Sequence, residues 1–234
     1  MLEIKEIHSY YGSSYILQGV SLKVEVGEVV SLIGRNGAGK TTTLKSIMGI
    51  VSPAQGSIKF KGTEISGLKP YQIARLGLGY VPEDRRIYPK LTLKENLEVA
   101  RMKPGLEETG WTFEKVYQFF PLLRTLGEGR LGSNMSGGEQ QILSIARTLL
   151  GNPEFLLLDE PSEGLAPLIV SALADTVNEI KSEGVSVLLS EQNMKFAVKT
   201  TTRSYIIDGG RIFFEGTIEE LMANEDLVRE HITL

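Results

Sequence analysis

The stretch from Gly34 to Thr41 reads Gly-Arg-Asn-Gly-Ala-Gly-Lys-Thr, and the rest of the chain is interpreted by its relation to it. Its glycines, lysine and hydroxyl have the order and spacing of a phosphate-binding loop. Glycine lets the backbone turn with its N–H groups pointing inward, where they form a concave nest for anions. Lys40 supplies positive charge for the outer phosphates, and the Thr41 hydroxyl can ligate Mg²⁺. A glycine-rich surface turn, the alternative, leaves the Lys-Thr pair unexplained.

The residues on either side of this loop support the same interpretation. Val29 to Ile33 is a continuous apolar run that predicts a buried strand, and Thr42 to Met48 predicts the helix after it. The positive end of that helix dipole adds to the attraction for phosphate. We therefore predict a nucleotide-binding loop between a core strand and a helix.

Composition limits the class of protein. The chain has 234 residues, of which 41% are hydrophobic, enough for one core domain with a subdomain. The net charge is −4 and no long run of like charge occurs, so we expect no nucleic-acid partner. There is no cysteine, and His8 and His231 stand too far apart in sequence to suggest a metal site.

The first residues and the apolar runs bear on location. Leu2 to Ile7 carries charges where a signal peptide would be apolar, and no apolar run reaches the length of a membrane span. We expect a cytoplasmic protein whose membrane role, if any, is exerted through a partner.

Two acidic residues follow a second apolar strand. Phe155 to Leu158 ends in Asp159-Glu160, so both carboxylates leave the carboxyl end of a buried parallel strand. An aspartate there suits Mg²⁺ held beside the Thr41 hydroxyl, and a glutamate suits the base that orients an attacking water. A solvated Asp-Glu turn is the alternative, but the phosphate loop favours the catalytic interpretation.

A glycine pair begins a third element. Ser136-Gly137-Gly138-Glu139 precedes an amphipathic pattern from Ile142 to Leu149, and Ser136 with Glu139 forms a capping box. Glycines at a helix N-terminus leave bare N–H groups that can meet a phosphate.

Between the phosphate loop and Ser136, capping residues and the spacing of apolar residues predict helices. Thr92 with Glu95 forms a capping box, and apolar residues from Val116 to Leu123 recur at helical spacing. We predict an inserted helical subdomain over residues 84–145, with joints at Met102–Gly105 and Gly127–Asn134. Residues 1–83 and 146–234 then form a RecA-like core with an antiparallel β subdomain, all within one domain, 1–234.

The remaining patterns complete the predicted fold. Leu2–Ile7 and Val20–Val26 alternate as half-buried antiparallel strands do, and Val185–Leu189 predicts a further strand. The polar residues Ser190 to Asn193 follow it, and Ser190 or Asn193 could instead cap a helix. The predicted fold class is α/β: a P-loop NTPase core with a mainly parallel sheet, an N-terminal antiparallel β subdomain and an inserted helical subdomain.

Taken together, the motifs resemble the ATP-binding cassette family over essentially the whole chain. The resemblance rests on Gly34–Thr41, Met135–Gln140 and Asp159–Pro161, in that order and spacing. It implies an ATPase in which two cassettes pack head to tail, with ATP between the phosphate loop of one and the Ser-Gly-Gly-Glu stretch of the other. ATP and Mg²⁺ are the implied cofactors, and a second ATPase subunit, identical or different, is the implied partner.

The resemblance also implies roles for individual residues. Glu160 would polarise the attacking water, with Lys40 and Gln192 also catalytic, and Thr41, Glu83 and Asp159 would hold Mg²⁺. Tyr11 would stack on adenine, although alone it is equally a strand aromatic packed on its neighbours. The other implied nucleotide contacts are Gly34, Asn36, Gly37, Ala38, Gly39, Lys40, Thr41 and Thr42 in the loop, and Ser136, Gly137 and Gly138 across the shared site.

Two departures from the general pattern narrow the resemblance. Most cassettes have glutamine where this chain has Glu83, and histidine where it has Gln192. The LivF-type ATPase subunits of branched-chain amino-acid importers are similar to this chain in four stretches: Val81–Glu83, Met135–Gln141, Asp159–Pro167 and Ser190–Asn193. Glu163 stands where that group more often has an apolar residue. The similarity implies uptake of leucine, isoleucine and valine through a membrane permease, together with a periplasmic or extracellular solute-binding protein.

The same similarity implies a place for the chain on the inner face of the cell membrane. It would dock on the permease through the loop Glu83–Leu91 and the helical subdomain. The apolar residues of that loop, Ile87, Tyr88, Pro89 and Leu91, are consistent with a docking patch but could equally pack inward.

Other functions stay open at this point. The chain could move another solute, or act as a cassette ATPase on nucleic acid or ribosomes, against which its acidic balance and single cassette argue. A P-loop kinase would leave the Ser-Gly-Gly-Glu helix start without a role.

Overall fold

The computed structural model describes residues 1–100 and 110–232. Within these ranges the strands form two sheets, one of four strands and one of six. The predicted joint at Met102–Gly105 lies outside the described residues.

The smaller sheet is antiparallel and confirms the predicted N-terminal β subdomain. Its strand order is β2-β1-β4-β5, with β1 at Leu2–Tyr11, β2 at Ser14–Val24, β4 at Gln55–Phe60 and β5 at Thr63–Glu64. The first strand is longer than its alternating pattern indicates, because a bulge with Glu6 at φ 48° interrupts the alternation. Val26 lies beyond β2 and is exposed, so the predicted end of that strand was wrong.

The larger sheet carries the core strands. Its order is β10-β9-β3-β8-β7-β6, with parallel pairing from β9 to β6 and an antiparallel edge strand, β10. The bounds are Val29–Ile33 for β3, Leu78–Val81 for β6, Phe155–Asp159 for β7, Ser186–Glu191 for β8, Arg203–Asp208 for β9 and Arg211–Thr217 for β10. Strand β8 runs two residues further than predicted, because Ser190 still pairs with Asp159 on β7.

The helices surround these sheets. They are α1 Lys40–Ile47, α2 Pro70–Arg75, α3 Leu93–Glu98, α4 Phe113–Phe119, α5 Pro121–Leu126, α6 Gly137–Leu149, α7 Pro167–Ser182, α8 Met194–Thr200, α9 Ile218–Ala223 and α10 Glu225–His231. The capping boxes at Thr92 and Ser136 are confirmed. The apolar repeat from Val116 to Leu123 is split between α4 and α5, because Pro121 cannot continue a helix and begins a new one.

Two large apolar clusters hold the site in place. One joins β7, β8, α6 and α7 with the helices after residue 90, and the other joins the antiparallel sheet with α1 and β3. Helix α6 runs unbroken through residue 145, where the predicted subdomain boundary falls, and that boundary stays a prediction. The carboxyl ends of the parallel strands therefore meet α1 and its preceding loop at one edge of the sheet.

Candidate active site

The phosphate-type loop links β3 to α1, as predicted. A side chain on Gly34 would collide with the backbone carbonyl of Ile207, so only glycine fits beside strand β9. Gly39, at the N-cap of α1, has φ 117°, a conformation that other residues adopt at a cost. These two glycines fix the path of the loop and the direction in which α1 begins.

Lys40 lies at the centre of the site, almost fully buried. Its Nζ atom donates to the carbonyl oxygens of Gly34 at 2.7 Å and Arg35 at 2.9 Å. It also pairs with Oε1 of Glu160 at 2.8 Å, and the two side chains are 4% and 7% exposed. A phosphate oxygen brought to Lys40 would have to replace or join these acceptors.

Asp159 accepts hydrogen bonds from three hydroxyls. Its Oδ1 accepts from Thr41 at 2.9 Å and Ser190 at 2.7 Å, and its Oδ2 accepts from Tyr80 at 2.9 Å. The side chain is 1% exposed. Burial and the nearby Asp159 carboxylate raise the pKa of Tyr80, which keeps that phenol protonated and a donor.

Two of these hydroxyls were not predicted as site residues. Ser190 was considered a possible helix cap, but it lies within β8 and donates to Asp159, whereas Asn193 accepts from the Phe196 N–H and caps α8. The parallel register of β7 and β8 places Ser190 opposite Asp159, and Tyr80 lies one residue before the end of β6. Polar residues at the ends of neighbouring core strands were the available signal.

Glu160 follows β7 in a left-handed conformation, with φ 48°. For a residue with a side chain this conformation is strained, and such strain is common at functional sites. The Glu160 N–H donates to the hydroxyl and carbonyl oxygens of Ser190, each at 3.1 Å. This tight turn brings the carboxylate back over Lys40.

A cavity of about 330 Å³ opens over the loop. Its lining brings together half of the predicted site residues and adds two residues that were not predicted, Ile16 and Glu163. The pKa of Glu163 is raised by burial and by the neighbouring charges of Glu83 and Glu160. The predicted residues that line it are Asn36, Gly37, Gly39, Lys40, Thr41, Thr42, Glu83 and Glu160.

The other predicted site residues do not line this cavity. Gly34 and Ala38 are buried within the loop, and Asp159 is buried beneath Thr41. Tyr11 ends strand β1 and is 47% exposed, and the stacked pair next to it is formed by Tyr10 and Tyr15 rather than by Tyr11. The residues that do not line the cavity also include Gln192, directly after β8, and Ser136, Gly137 and Gly138 at the start of α6.

Glu191 is a further buried acid that sequence reasoning did not assign. One carboxylate oxygen accepts from the Ser162 N–H at 3.0 Å, and the other from the Asn193 N–H at 3.1 Å. The side chain is 1% exposed, and burial raises its pKa to about 7. It links the segment after Glu160 to the segment that holds Gln192.

The chemistry of these side chains fits ATP and a magnesium ion. The Thr41 hydroxyl and the Asp159 carboxylate are adjacent hard oxygen donors, the type that Mg²⁺ prefers. In residues 1–100 and 110–232, no group of three or more histidine, cysteine, aspartate or glutamate side chains could hold a metal. An ion here would therefore need oxygens from phosphate or water to complete its coordination.

The fold and the glycine-rich loop are those of a P-loop nucleotide-binding protein. Residues 17–163 match the ABC transporter family, and the chain belongs to this family. It binds ATP and is the ATPase subunit of a transporter, hydrolysing ATP to drive transport. This confirms the resemblance found in the sequence. No helix in the described part of the chain is both long and apolar enough to cross a membrane.

Three relatives cover nearly the whole chain. BraG of Pseudomonas aeruginosa, a high-affinity branched-chain amino acid transport ATP-binding protein, is 42% identical over 96% of both chains. LptB of Haemophilus influenzae, the ATP-binding protein of a lipopolysaccharide export system, is 34% identical over 99% of this chain and 97% of its own. LivF of Archaeoglobus fulgidus, a probable branched-chain amino acid transport ATP-binding protein, is 31% identical over 96% of this chain and 95% of its own.

Solved structures of ATP-binding cassettes share the fold. A nucleotide-free cassette from an ABC transporter superposes with a TM-score of 0.83 at 28% identity, covering 96% of this chain and 94% of that one. An ATP-binding subunit of an ABC transporter gives a TM-score of 0.81 at 33% identity, covering 97% and 94%. Both likenesses confirm the predicted α/β cassette fold.

Proposed function

We propose that this ATPase powers the uptake of leucine, isoleucine and valine through a partner membrane permease. The observation that carries the proposal is the 42% identity to BraG over 96% of both chains. The similarity to LivF of Archaeoglobus fulgidus points to the same class of solute. The transported solute does not contact the ATPase subunit in this scheme, so the substrate assignment depends on relatedness rather than on the site.

Lipopolysaccharide export is the second candidate. The similarity to LptB, 34% over 99% of this chain, favours it. BraG is more similar to this chain, and the amino-acid proposal therefore comes first.

In the proposed site, each ATP is bound between two subunits. The phosphate loop with Lys40 and Thr42 binds the phosphates from one side, and Tyr11 stacks on the adenine. The Ser136 hydroxyl and the backbone of Gly137 and Gly138 approach the γ-phosphate of the nucleotide bound by the second subunit. Two observations support this division: Ser136 and Gly137 are exposed, and they lie at the positive end of the thirteen-residue helix α6.

Glu160 is proposed to accept a proton from the attacking water. Its carboxylate is held by Lys40 and by the strained turn after β7, so it points into the cavity that the phosphates would occupy. Mg²⁺, held by Thr41 and Asp159 with Glu83 nearby, would neutralise charge on the phosphates. Gln192 supplies an amide donor for the γ-phosphate once the second subunit closes on the site.

A groove beside the site is the proposed place where the permease docks. A volume of about 470 Å³ lies between α2, β6 and α6, and exposed apolar side chains surround it. Tyr88 belongs to this groove, whereas Ile87 packs against the buried core. Its exposed apolar side chains are Ile50, Tyr71, Tyr88 and Val99. Such a groove fits a short amphipathic helix from a cytoplasmic loop of the permease.

The assembled system has further parts in this proposal. The chain lies in the cytoplasm, on the inner face of the membrane, held there by the permease. A second ATPase subunit completes the nucleotide sites, and a solute-binding protein outside the membrane delivers the amino acid.

Uptake in cells tests the proposal. Cells lacking this chain should lose uptake of labelled leucine, isoleucine and valine, and the wild-type chain should restore it while Glu160→Gln should not. The chain should also co-purify with a membrane permease. Normal amino-acid uptake with failure of lipopolysaccharide export would reject the first candidate in favour of the second.

A further inference from the structure

The loop after β6 is tied to α6 through its backbone. The carbonyl oxygen of Arg85 accepts from the Ser144 hydroxyl and from Arg147 Nη2, both at 2.9 Å. The carbonyl of Arg86 accepts from Arg147 Nη1 at 2.8 Å. Arg85 has φ 58°, a left-handed conformation that turns its carbonyl and its side chain toward the same helix. This loop begins at Pro82 and carries Glu83, which lines the nucleotide cavity.

The guanidinium of Arg85 joins three segments. Its Nε donates to Oε1 of Gln141 on α6 at 3.2 Å, and its Nη2 donates to the carbonyl oxygen of Glu163 at 3.3 Å. Its Nη1 lies over Gly137, where a Cβ would come within 2.9 Å of it. One planar group therefore contacts the helix start, the helix body and the segment that follows Glu160.

Arginine suits this arrangement for a physical reason. Its donors are fixed in one plane, so they can satisfy two acceptors at once, whereas the ammonium of lysine is a single point charge on a flexible stem. Gln141 is buried, and its Nε2 has no hydrogen-bond partner within the described residues. Without Arg85 the buried side-chain amide of Gln141 would also lose the hydrogen bond to its Oε1, which disfavours the present position of α6.

We propose that Arg85 is a positioning residue that holds the start of α6 in register with Glu83 and Glu163. In each subunit, the segment Ser136–Gly138 contacts the nucleotide of the second subunit. This segment then moves together with the loop that lines the subunit's own nucleotide site. Binding of nucleotide in the site of one subunit is thereby coupled to the position of its Ser136–Gly138 segment, which completes the site of the second subunit. This inference rests on the proposed sharing of each site between two subunits.

The proposal predicts a specific kinetic signature for Arg85→Ala. The chain should bind ATP as wild type does, because Lys40 and Thr41 do not touch Arg85. Its KM should change little. Its kcat should fall about tenfold, because the displaced start of α6 no longer fits the nucleotide site of the second subunit. Arg85→Lys should be intermediate, since it keeps the charge but not the two-acceptor geometry.

Arg211→Ala is the matched control. Arg211 is an exposed arginine on β10 that also pairs with a glutamine amide, since its Nε and Nη2 donate to Oε1 of Gln18 at 3.1 Å and 3.0 Å, but it belongs neither to the loop after β6 nor to α6. In the purified full-length chain it should have the kcat and KM of wild type.

Two measurements test the inference. Hydrogen exchange of the full-length chain should be faster in Arg85→Ala than in wild type at residues 82–88, 136–141 and 163–165 only, and it should be unchanged in Arg211→Ala. In the Glu160→Gln background with ATP, Arg85→Ala should weaken dimerisation about tenfold.

The outcomes separate this inference from the proposed function. Unchanged exchange in Arg85→Ala, or wild-type kcat in Arg85→Lys, would overturn the role of Arg85. If the Glu160→Gln chain with ATP does not dimerise at all, the shared site is wrong, and the coupling inferred for Arg85 is overturned with it. Dimerisation of Glu160→Gln together with no effect of Arg85→Ala would overturn the inference alone.

Discussion

Lys40 has its ammonium group shared by three oxygens, two from the loop backbone and one from Glu160. Such an ion pair, almost fully buried, is stable only where desolvation of both charges is offset by close geometry and further hydrogen bonds. The loop carbonyls supply those bonds. The charge is therefore held at the floor of the cavity before any phosphate arrives.

Lys40→Ala should lower the affinity for ATP by about 10- to 100-fold, because it removes charge-assisted hydrogen bonds to phosphate. Equilibrium binding of a fluorescent ATP analogue measures this. Lys45→Ala, on the same helix and only half-buried, is the control and should bind as wild type does. Equal affinity in Lys40→Ala and wild type would remove the loop from the site.

Glu160→Gln should reduce ATP hydrolysis by about 10² or more while ATP still binds, because water activation is lost and the phosphate contacts stay. Single-turnover phosphate release is the measurement. Glu154→Gln is a matched control, since Glu154 stands just before β7, is exposed and pairs with Lys61. Hydrolysis at the wild-type rate in Glu160→Gln would exclude Glu160 as the base.

Glu191 should make stability depend on pH. Its pKa is raised by burial to about 7 from 4.5, so the folded chain holds this proton more tightly than the unfolded chain. The stabilisation from the bound proton is complete below the unfolded pKa and is lost as pH rises through about 7. Glutamine cannot ionise, so Glu191→Gln does not lose this stabilisation as pH rises. The unfolding free energy of Glu191→Gln minus that of wild type should therefore increase by roughly 2 kcal/mol from about pH 5.5 to about pH 8.

Urea unfolding of both chains at the two pH values tests this prediction. A difference between Glu191→Gln and wild type that stays constant with pH would show that the carboxyl titrates alike in the folded and unfolded chains.

At the residue scale, the sequence predicted the polar and charged side chains that directly follow an apolar strand or the glycine-rich loop. The structure brings four of them together: Lys40, Thr41, Asp159 and Glu160. Tyr80 and Ser190 could not be assigned, because a hydroxyl within a strand has many possible partners until the register of the sheet is known. Glu191 was not assigned because one of its two partners, Ser162, lies 29 residues earlier in the sequence, although the other, Asn193, is only two residues away.

At the element scale, the start of α6 combines a structural and a proposed functional role. The Ser136 hydroxyl accepts from the Glu139 N–H, and Glu139 accepts from the Ser136 N–H at 2.7 Å. Because both roles use the same residue, loss of activity in Ser136→Ala alone would not tell them apart. A substitution that keeps the cap and changes the charge separates them.

Ser136→Asp should stay within about 0.5 kcal/mol of the wild-type unfolding free energy, because aspartate caps helices as well as serine does, and should lose ATPase activity by charge repulsion with the phosphates. Ser136→Ala should cost roughly 1 kcal/mol. Thermal unfolding and steady-state ATPase assays measure the two effects. Thr217→Asp, in the equivalent capping box of α9, is the control and should retain both properties.

Full ATPase activity in Ser136→Asp would contradict the proposed contact between Ser136 and the γ-phosphate.

Element boundaries were predicted where local chemistry sets them. Capping boxes fix helix starts through a pair of residues three positions apart, and those at Thr92 and Ser136 are present as expected. The length of β1 was missed because a bulge breaks the alternation on which the prediction depended. The break at Pro121 was missed because the apolar spacing continues across it, although proline alone could have signalled it.

At the scale of the whole molecule, a single chain forms only part of the proposed site. The phosphate loop, Glu83 and Glu160 line one cavity, whereas Ser136–Gly138 and Gln192 do not reach it. The sequence could predict both sets because each has its own motif. It could not predict how far apart they lie, since that distance depends on the packing of α6 against the core and on a second chain.

The structure of the Glu160→Gln chain with ATP and Mg²⁺ tests this shared site most directly. We expect a head-to-tail dimer in which the Ser136 hydroxyl and the Gly138 N–H of one subunit lie within hydrogen-bonding distance of the γ-phosphate bound by the other. A monomer with ATP fully enclosed by its own residues, or a dimer with Ser136–Gly138 remote from both nucleotides, would contradict it.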